Sequence, residues 1–176
     1  AGGSVTRSDE MLRVVSGSAD GSTAVPAPAT DTDLGYYFVG WSVGDSSAIV
    51  STEPELDGAT VAQFAKEGGL FVPTTFTAHF AAKEKLVLKA ASDTFVYDGT
   101  ERVVEAFAIE GGEGLSVKNV YARAAETNAG TFPVAFYDQD EIAISDSAGT
   151  DVTDRYAVEY VKGTLTIEQR PVALTG

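Results

Sequence analysis

Tyr156-Ala-Val-Glu-Tyr-Val-Lys-Gly-Thr-Leu-Thr-Ile-Glu168 is the stretch that decides the fold. Apolar and polar residues alternate on both sides of Lys162-Gly163, the pattern of half-buried strands. The expected local structure is two strands joined by a turn at Lys162-Gly163. Arg170-Pro171 then breaks the ladder, and Val172-Ala-Leu-Thr175 begins another strand just before the last residue, Gly176. This reads as the end of one β module and the opening of the next, with residues 171–176 as the link. The sequence also begins at Ala1 without Met. Both features lead to the expectation of a piece cut from a longer modular array.

Working back from this stretch, more short strands appear. Leu86 to Ala90 opens the second half. Thr94 to Tyr97 leads into Asp98-Gly99, a tight-turn signal because both residues tolerate positive φ. Strands are expected at Val103 to Ile109, Leu115 to Arg123, Phe132 to Tyr137, Tyr156 to Val161 and Thr164 to Glu168. Asp138 to Asp154 reads as a long acidic loop with one apolar island, Ile142-Ala-Ile144. No helical stretch interrupts this series, so residues 83–170 are expected to form a β-sandwich of immunoglobulin-like type.

The first half is built differently. Leu12 to Val15 reads as a strand, and Ser16 to Thr32 as a turn and an extended connection through Pro26 and Pro28. Tyr36-Tyr-Phe-Val-Gly-Trp41 is an aromatic strand, whose strict alternation places Trp41 with Tyr37 and Tyr36 with Phe38. Thr60 to Lys66 is the helix candidate, with Asp57 or Thr60 as its cap, Gly68-Gly69 as its stop, and Val61, Phe64 and Ala65 on one face. Phe76 to Phe80 closes the unit. One short helix on a small sheet gives a β-grasp-like module over residues 1–82. Ala81 to Lys85 carries charge without Gly or Pro and reads as a short, stiff boundary. The fold class expected for the whole chain is mainly β.

Composition narrows the function. The net charge is −14, with 26 acidic against 12 basic residues. Such a surface repels phosphate backbones and anionic lipids, which disfavours nucleic-acid and membrane partners. There are no cysteines, so disulfides, thiol catalysis and cysteine metal sites are excluded. No apolar run approaches the ~20 residues of a membrane helix. Neither Asn119 nor Asn128 lies in a glycosylation sequon.

Few residues suggest chemistry. His79 is the single histidine, and alternation places it on the strand face opposite Ala78 and Phe80. A serine triad would need it, yet no Gly-x-Ser-x-Gly elbow is present. Trp41 with Tyr36 and Tyr37 suits a sugar-stacking platform, but a small core also needs those rings. Asp138, Asp140 and Glu141 are the calcium candidates, with Asp146, Asp151 and Asp154 nearby; EF-hand spacing is absent and a solvated loop is the expected role. The glycines at 17, 21, 68–69 and 111–114 are turn glycines, and none opens a helix as a phosphate loop must. No cofactor is implied. Asn119 and Asn128 are the only candidate acceptors for an isopeptide bond of the kind some pilus-type surface modules carry, and Lys89 with Asn119 is the conceivable pairing.

The order of motifs carries a family likeness. Val25-Pro-Ala-Pro28, Gly35-Tyr-Tyr-Phe-Val-Gly-Trp41 and Thr74-Thr-Phe-Thr-Ala-His-Phe80 resemble the Listeria–Bacteroides repeat, or internalin B-repeat, over roughly residues 9–82. The chain departs from that pattern in its long middle, Ser42 to Val72, in Phe80 where Trp is usual, and in lacking the Phe-Asp-x-Asn-Gly-Gly opening. Val96-Tyr-Asp-Gly-Thr100, Thr127-Asn-Ala-Gly-Thr-Phe132, Asp151-Val-Thr-Asp-Arg-Tyr156 and Tyr160-Val-Lys-Gly-Thr-Leu-Thr-Ile167 resemble the tandem Tyr-Asp-Gly surface repeats. These resemblances imply extracellular display on a bacterial surface, wall anchoring through other parts of the parent chain, and neighbouring modules as partners. They carry no catalytic residues. The expected function is a non-catalytic stalk or spacer segment. The alternative is an adhesin module that binds a host glycan or matrix protein through the insertion at residues 42–72.

Overall fold

Strand-length apolar runs punctuated by glycine and aspartate leave this chain few ways to bury its side chains other than stacked sheets. The computed structural model describes residues 35–54, 56 and 58–171. The strand expected at Leu12–Val15, the connection at Ser16–Thr32, the possible cap Asp57 and the strand expected at Val172–Thr175 lie outside those residues. The described chain is mainly β, with fourteen strands and one α-helix among its described residues. It divides into two compact units, Ala1–Lys83 and Glu84–Gly176. No helix among the described residues is long and apolar enough to cross a membrane.

In the first unit, β1 (Tyr36–Val43) pairs antiparallel with β4 (Phe76–Ala82), from Tyr36 opposite Ala82 to Val43 opposite Phe76. Between them come α1 (Gly58–Phe64) and a hairpin of β2 (Lys66–Glu67) and β3 (Leu70–Phe71). A helix of seven residues is too short to persist alone and depends on packing. Val61 and Ala65, four apart, are buried with Trp41 and Leu56, and Phe38, Val50, Phe71, Phe76 and Ala78 close the cluster.

Two expectations are corrected here. The register shifts between Phe38 and Gly40, so Val39 is an extra residue in β1. The bulge reverses the alternation expected upstream of it. Phe38 therefore joins Trp41, with ring centroids 5.7 Å apart, and Tyr37 does not share that face. The bulge is followed by Gly40 at φ 151°, where a Cβ would lie 2.5 Å from Ile49 Cγ2 and 2.6 Å from the Ser51 carbonyl oxygen. Only glycine lets residues 49–51 lie this close, with Trp41 N–H donating to Ser51 O at 2.8 Å. Secondly, Gly68-Gly69 does not stop the helix. The helix ends at Phe64, and the two glycines, at φ 57° and 84°, form the β2–β3 turn.

The second unit is a sandwich. A five-stranded sheet has the order β6 (Asp93–Val96), β14 (Gly163–Glu168), β11 (Gly130–Tyr137), β10 (Tyr121–Glu126), β7 (Arg102–Val104). A three-stranded sheet has the order β13 (Tyr156–Val161), β5 (Glu84–Ala90), β8 (Phe107–Glu110). A two-stranded ribbon of β9 (Ser116–Lys118) and β12 (Ala143–Ser145) completes it. Leu86, Leu88, Val134, Ile144 and Leu165 are fully buried in one core with Val104, Ala122, Phe136 and Ile167. Each of the leucine, isoleucine, valine and phenylalanine side chains contributes about 1.5–3 kcal/mol of transfer free energy. Phe136 meets Phe107 edge-on and Tyr160 at a tilt, with centroids 5.6 and 5.1 Å apart. Pro133 lies in β11 beyond the stretch that β10 pairs, where its missing N–H does not interrupt that ladder.

Several expected strands are divided. Val103 to Ile109 splits into β7 and β8, which belong to different sheets, and Leu115 to Arg123 splits at Asn119, which turns the chain at φ 63°. The apolar island at Ile142–Ile144 does become a strand, β12, with Ile144 fully buried. The largest correction concerns the stretch that decides the fold. Lys162-Gly163 is not a hairpin turn, because β13 and β14 do not pair with each other. β13 pairs parallel with β5, and β14 pairs parallel with β6. The chain from 84 to 96 and the chain from 156 to 168 cross from one sheet to the other side by side. Throughout, each residue faces the one 72 positions later, including Ser92, whose Oγ accepts from Thr164 N–H at 2.9 Å. Gly163 sits where they cross, buried, and a Cβ there would lie 1.9 Å from the Ala91 carbonyl oxygen. Alternation continues on both sides of the crossing, which is why it imitates a hairpin in the sequence.

Candidate functional site

The single histidine does meet a serine. β1 and β4 set Ser42 opposite Thr77 and Gly40 opposite His79, so Ser42 and His79 are diagonal neighbours on the face away from Trp41. Ser42 Oγ and His79 Nε2 are 2.7 Å apart and share one hydrogen bond. The pairing was not legible in the sequence, which gives the facing of His79 but not its register against β1. Two features separate this pair from a catalytic one. Ser42 is only 1 % exposed, so its oxygen is closed to a substrate. Among the described residues no carboxylate holds the other ring nitrogen, as a triad requires. The arrangement satisfies a buried hydroxyl that would otherwise be costly to bury.

The acidic loop is ordered by its own carboxylates. Asp138 adopts a left-handed conformation at φ 56° and opens a 3-10 turn over Gln139–Glu141, with Glu141 N–H donating to Asp138 O at 3.0 Å. Tyr160 O–H reaches Gln139 O at 3.4 Å. Burial pushes the Tyr160 hydroxyl above its ordinary range, and the Asp140 charge adds to the effect. Asp146 Oδ1 accepts from Ala148 and Thr150 N–H, each at 2.9 Å. Asp151 Oδ1 accepts from Thr153 N–H at 2.9 Å and Thr153 Oγ–H at 2.7 Å, while Thr153 Oγ1 accepts from Ile144 N–H at 2.8 Å. Asp138, Asp140 and Glu141 do share one turn. Among the described residues, however, no group of three or more His, Asp or Glu side chains is placed to hold a metal ion.

The same bracket recurs at Asp98-Gly-Thr100. Asp98 Oδ1 accepts from Thr100 N–H at 3.0 Å and Thr100 Oγ–H at 2.6 Å, and Oδ2 pairs with the Arg102 guanidinium. Arg102 also lies over Phe95, 5.1 Å from the ring centre. The Thr100 hydroxyl foremost, with its N–H and Arg102, holds the Asp98 carboxyl below the usual range; Thr153 does the same to Asp151.

Two surfaces remain. In the segment at residues 42–72, Phe64 and Phe71 are half-buried, and Lys66 covers the Phe71 ring at 4.6 Å. Its large exposed apolar side chains are Ile49 and Leu70, the latter 74 % exposed beside the Gly68-Gly69 turn. On the outer face of the five-stranded sheet, Tyr121 and Tyr137 are cross-strand partners stacked 5.2 Å apart, both exposed, with Arg123 and Glu105 paired at 3.5 Å. The expected strands contain both tyrosines, but only the hairpin register brings them together. The residues of the conceivable isopeptide bond are both exposed. The Lys89 ammonium faces Glu110 at 3.9 Å, and Asn119 lies in the β9–β10 bend instead of on a strand. No protein-family model, no curated protein and no solved structure matches this chain.

Proposed function

We propose that this chain is a non-catalytic spacer segment of a bacterial cell-surface protein, holding distal domains away from the wall to which other parts of the parent chain attach. Its partners are then the neighbouring modules. The observation that supports this most is that the chain forms two β units, consecutive in sequence, with separate cores. β4 ends at Ala82 and β5 begins at Glu84; Lys83 alone intervenes, and its N–H donates to Gly35 O at 2.6 Å. A string of self-sufficient modules is what a spacer requires. The motif order that resembles Listeria–Bacteroides and Tyr-Asp-Gly repeats agrees with it. So does the acidity, which opposes self-association.

The test is a binding screen of the whole chain against mucins, matrix proteins and a glycan array, with calcium and with chelator. Flat binding beside a positive control is the expected result. Saturable binding that falls when residues 42–72 are shortened would replace the spacer reading with an adhesin. Saturable binding abolished by Tyr121→Ala with Tyr137→Ala would do so through the other surface.

A further inference from the structure

We infer that the second unit is a mechanical clamp, loaded in shear when the chain is pulled from its ends. The first described strand of this unit, β5–β6, and the last, β13–β14, are adjacent and parallel over Glu84–Lys89 with Tyr156–Val161 and over Asp93–Val96 with Leu165–Glu168. Tension enters at Glu84 and leaves at Glu168. It therefore drags two parallel neighbours in opposite directions along their own axes. Every ladder hydrogen bond between them is strained together, because the pull runs along the strands and so across all of these bonds at once. An antiparallel pair pulled from one end opens a bond at a time, and each bond contributes only about 1 kcal/mol net.

Three further features strengthen the clamp. The paired segments change sheets together, so sliding must also pull Leu86, Leu88, Leu165 and Ile167 through one shared core. Gly163 lies against Ala91 at the crossing, where the two backbones leave no room for a Cβ. Thr164 and Ser92 bridge the gap where neither sheet's ladder runs. The load path goes directly from β5–β6 to β13–β14. Residues 97–155, including the exposed tyrosine pair, are outside it. The described strands of the first unit have the opposite geometry: Tyr36 faces Ala82, so force applied there peels β1 from β4.

This inference deepens the spacer reading, but its measurement does not depend on that reading. The chain has no cysteine, so attachment points can be introduced freely. The whole chain is stretched by single-molecule force spectroscopy in two ways: from its two ends, and from Lys85→Cys with Glu110→Cys. The second pair of handles loads the antiparallel pair β5–β8 from one end. The same double-cysteine protein is stretched in both cases, because Lys85 pairs with Glu159 and Glu110 with Lys89, so stability is common to the two and only the direction differs. Pulled from the ends, residues 84–168 should open in one step, lengthening the chain by roughly 260 Å, from ~3.6 Å per residue less a folded span of ~40 Å. The force should be at least about twice that of the peeling direction. Equal forces in the two directions, or loss of the end-to-end step, would overturn the clamp. Either failure leaves the spacer reading to the binding screen.

Discussion

Replacing Gly163 with alanine adds one methyl group at the point where two chain segments cross between sheets. The position needs glycine for space alone, because its φ is not in the left-handed range. The new Cβ would lie 1.9 Å from Ala91 O, 2.7 Å from Ala90 O and 2.7 Å from Ala91 C. All three are backbone atoms, so no side-chain rotation relieves the overlap. Either the crossing opens, loosening the β5–β13 and β6–β14 registers, or the backbone shifts against the core. Overpacking of this kind costs about 3 kcal/mol, the upper part of its usual range. For a unit of this size that lowers the midpoint by about 12–24 °C. Gly149→Ala is the control: its φ is 83° but nothing lies within 4 Å, so only conformational strain of about 1 kcal/mol is expected. The single tryptophan, Trp41, belongs to the first unit. Its emission should report that unit's transition and stay unchanged, while far-UV circular dichroism follows the second unit. A Gly163→Ala midpoint within about 2–4 °C of the parent, equivalent to the ~0.5 kcal/mol of an ordinary surface change, would refute the close crossing.

Two other perturbations follow from the hydrogen-bonded side chains. The Asp98 and Asp151 carboxyls titrate below their ordinary value of 3.8 in the folded chain, so their contribution is present above that pH and is lost as pH falls through the folded values. In urea unfolding at pH 7, Asp98→Ala with Asp151→Ala should be less stable than the parent, and the difference should shrink on acidification below pH ~3.8; a difference constant in pH would contradict the assignment. Ser42→Ala removes one partner of the Ser42–His79 bond. It should cost the first unit about 1 kcal/mol by tryptophan emission, in line with a single lost hydrogen bond, and leave the second unit unchanged; no loss would mean the bond contributes nothing.

What was legible in the sequence was local. The aromatic strand at Tyr36–Trp41 and the apolar island at Ile142–Ile144 announce themselves through neighbours in the chain, whereas at Asp98-Gly99 only Gly99 takes a positive φ, 84°, and the flanking strands β6 and β7 do not pair. Pairing was not legible, because the same alternation serves a hairpin, a parallel pair or a strand that changes sheets. Residues 156–168 show this directly: buried positions recur at every second residue from Gly163 to Ile167, as they would in a hairpin arm. The bulge at Val39 was hidden for a related reason. Its cause is the chain at Ile49–Ser51 lying against Gly40, a contact that alternation within β1 does not encode. The Ser42–His79 pair and the tyrosine stack both needed a register before they existed. The acidic residues show the same limit, since a cluster in the chain does not say which groups each carboxylate meets, and Asp146 and Asp151 each bracket their own loop.

The placement of the two Asp-x-Thr brackets links the acidity to the clamp. Asp98-Gly-Thr100 follows immediately after β6, and Asp151-Val-Thr153 lies just before β13. These are the two inner ends of the parallel segments, where the chain leaves the load path and where it returns. A strand end frays when its last backbone groups lack partners. Here a carboxylate takes the N–H and the hydroxyl of the residue two positions on, and Thr153 passes the link to Ile144 in the core. Aspartate suits this task because a charged acceptor strengthens both bonds. Part of the negative charge is thereby used to fasten the clamp at both inner ends. The same linkage predicts that acid lowers the thermodynamic stability of this unit, since protonating Asp98 and Asp151 weakens the brackets at both inner ends at once.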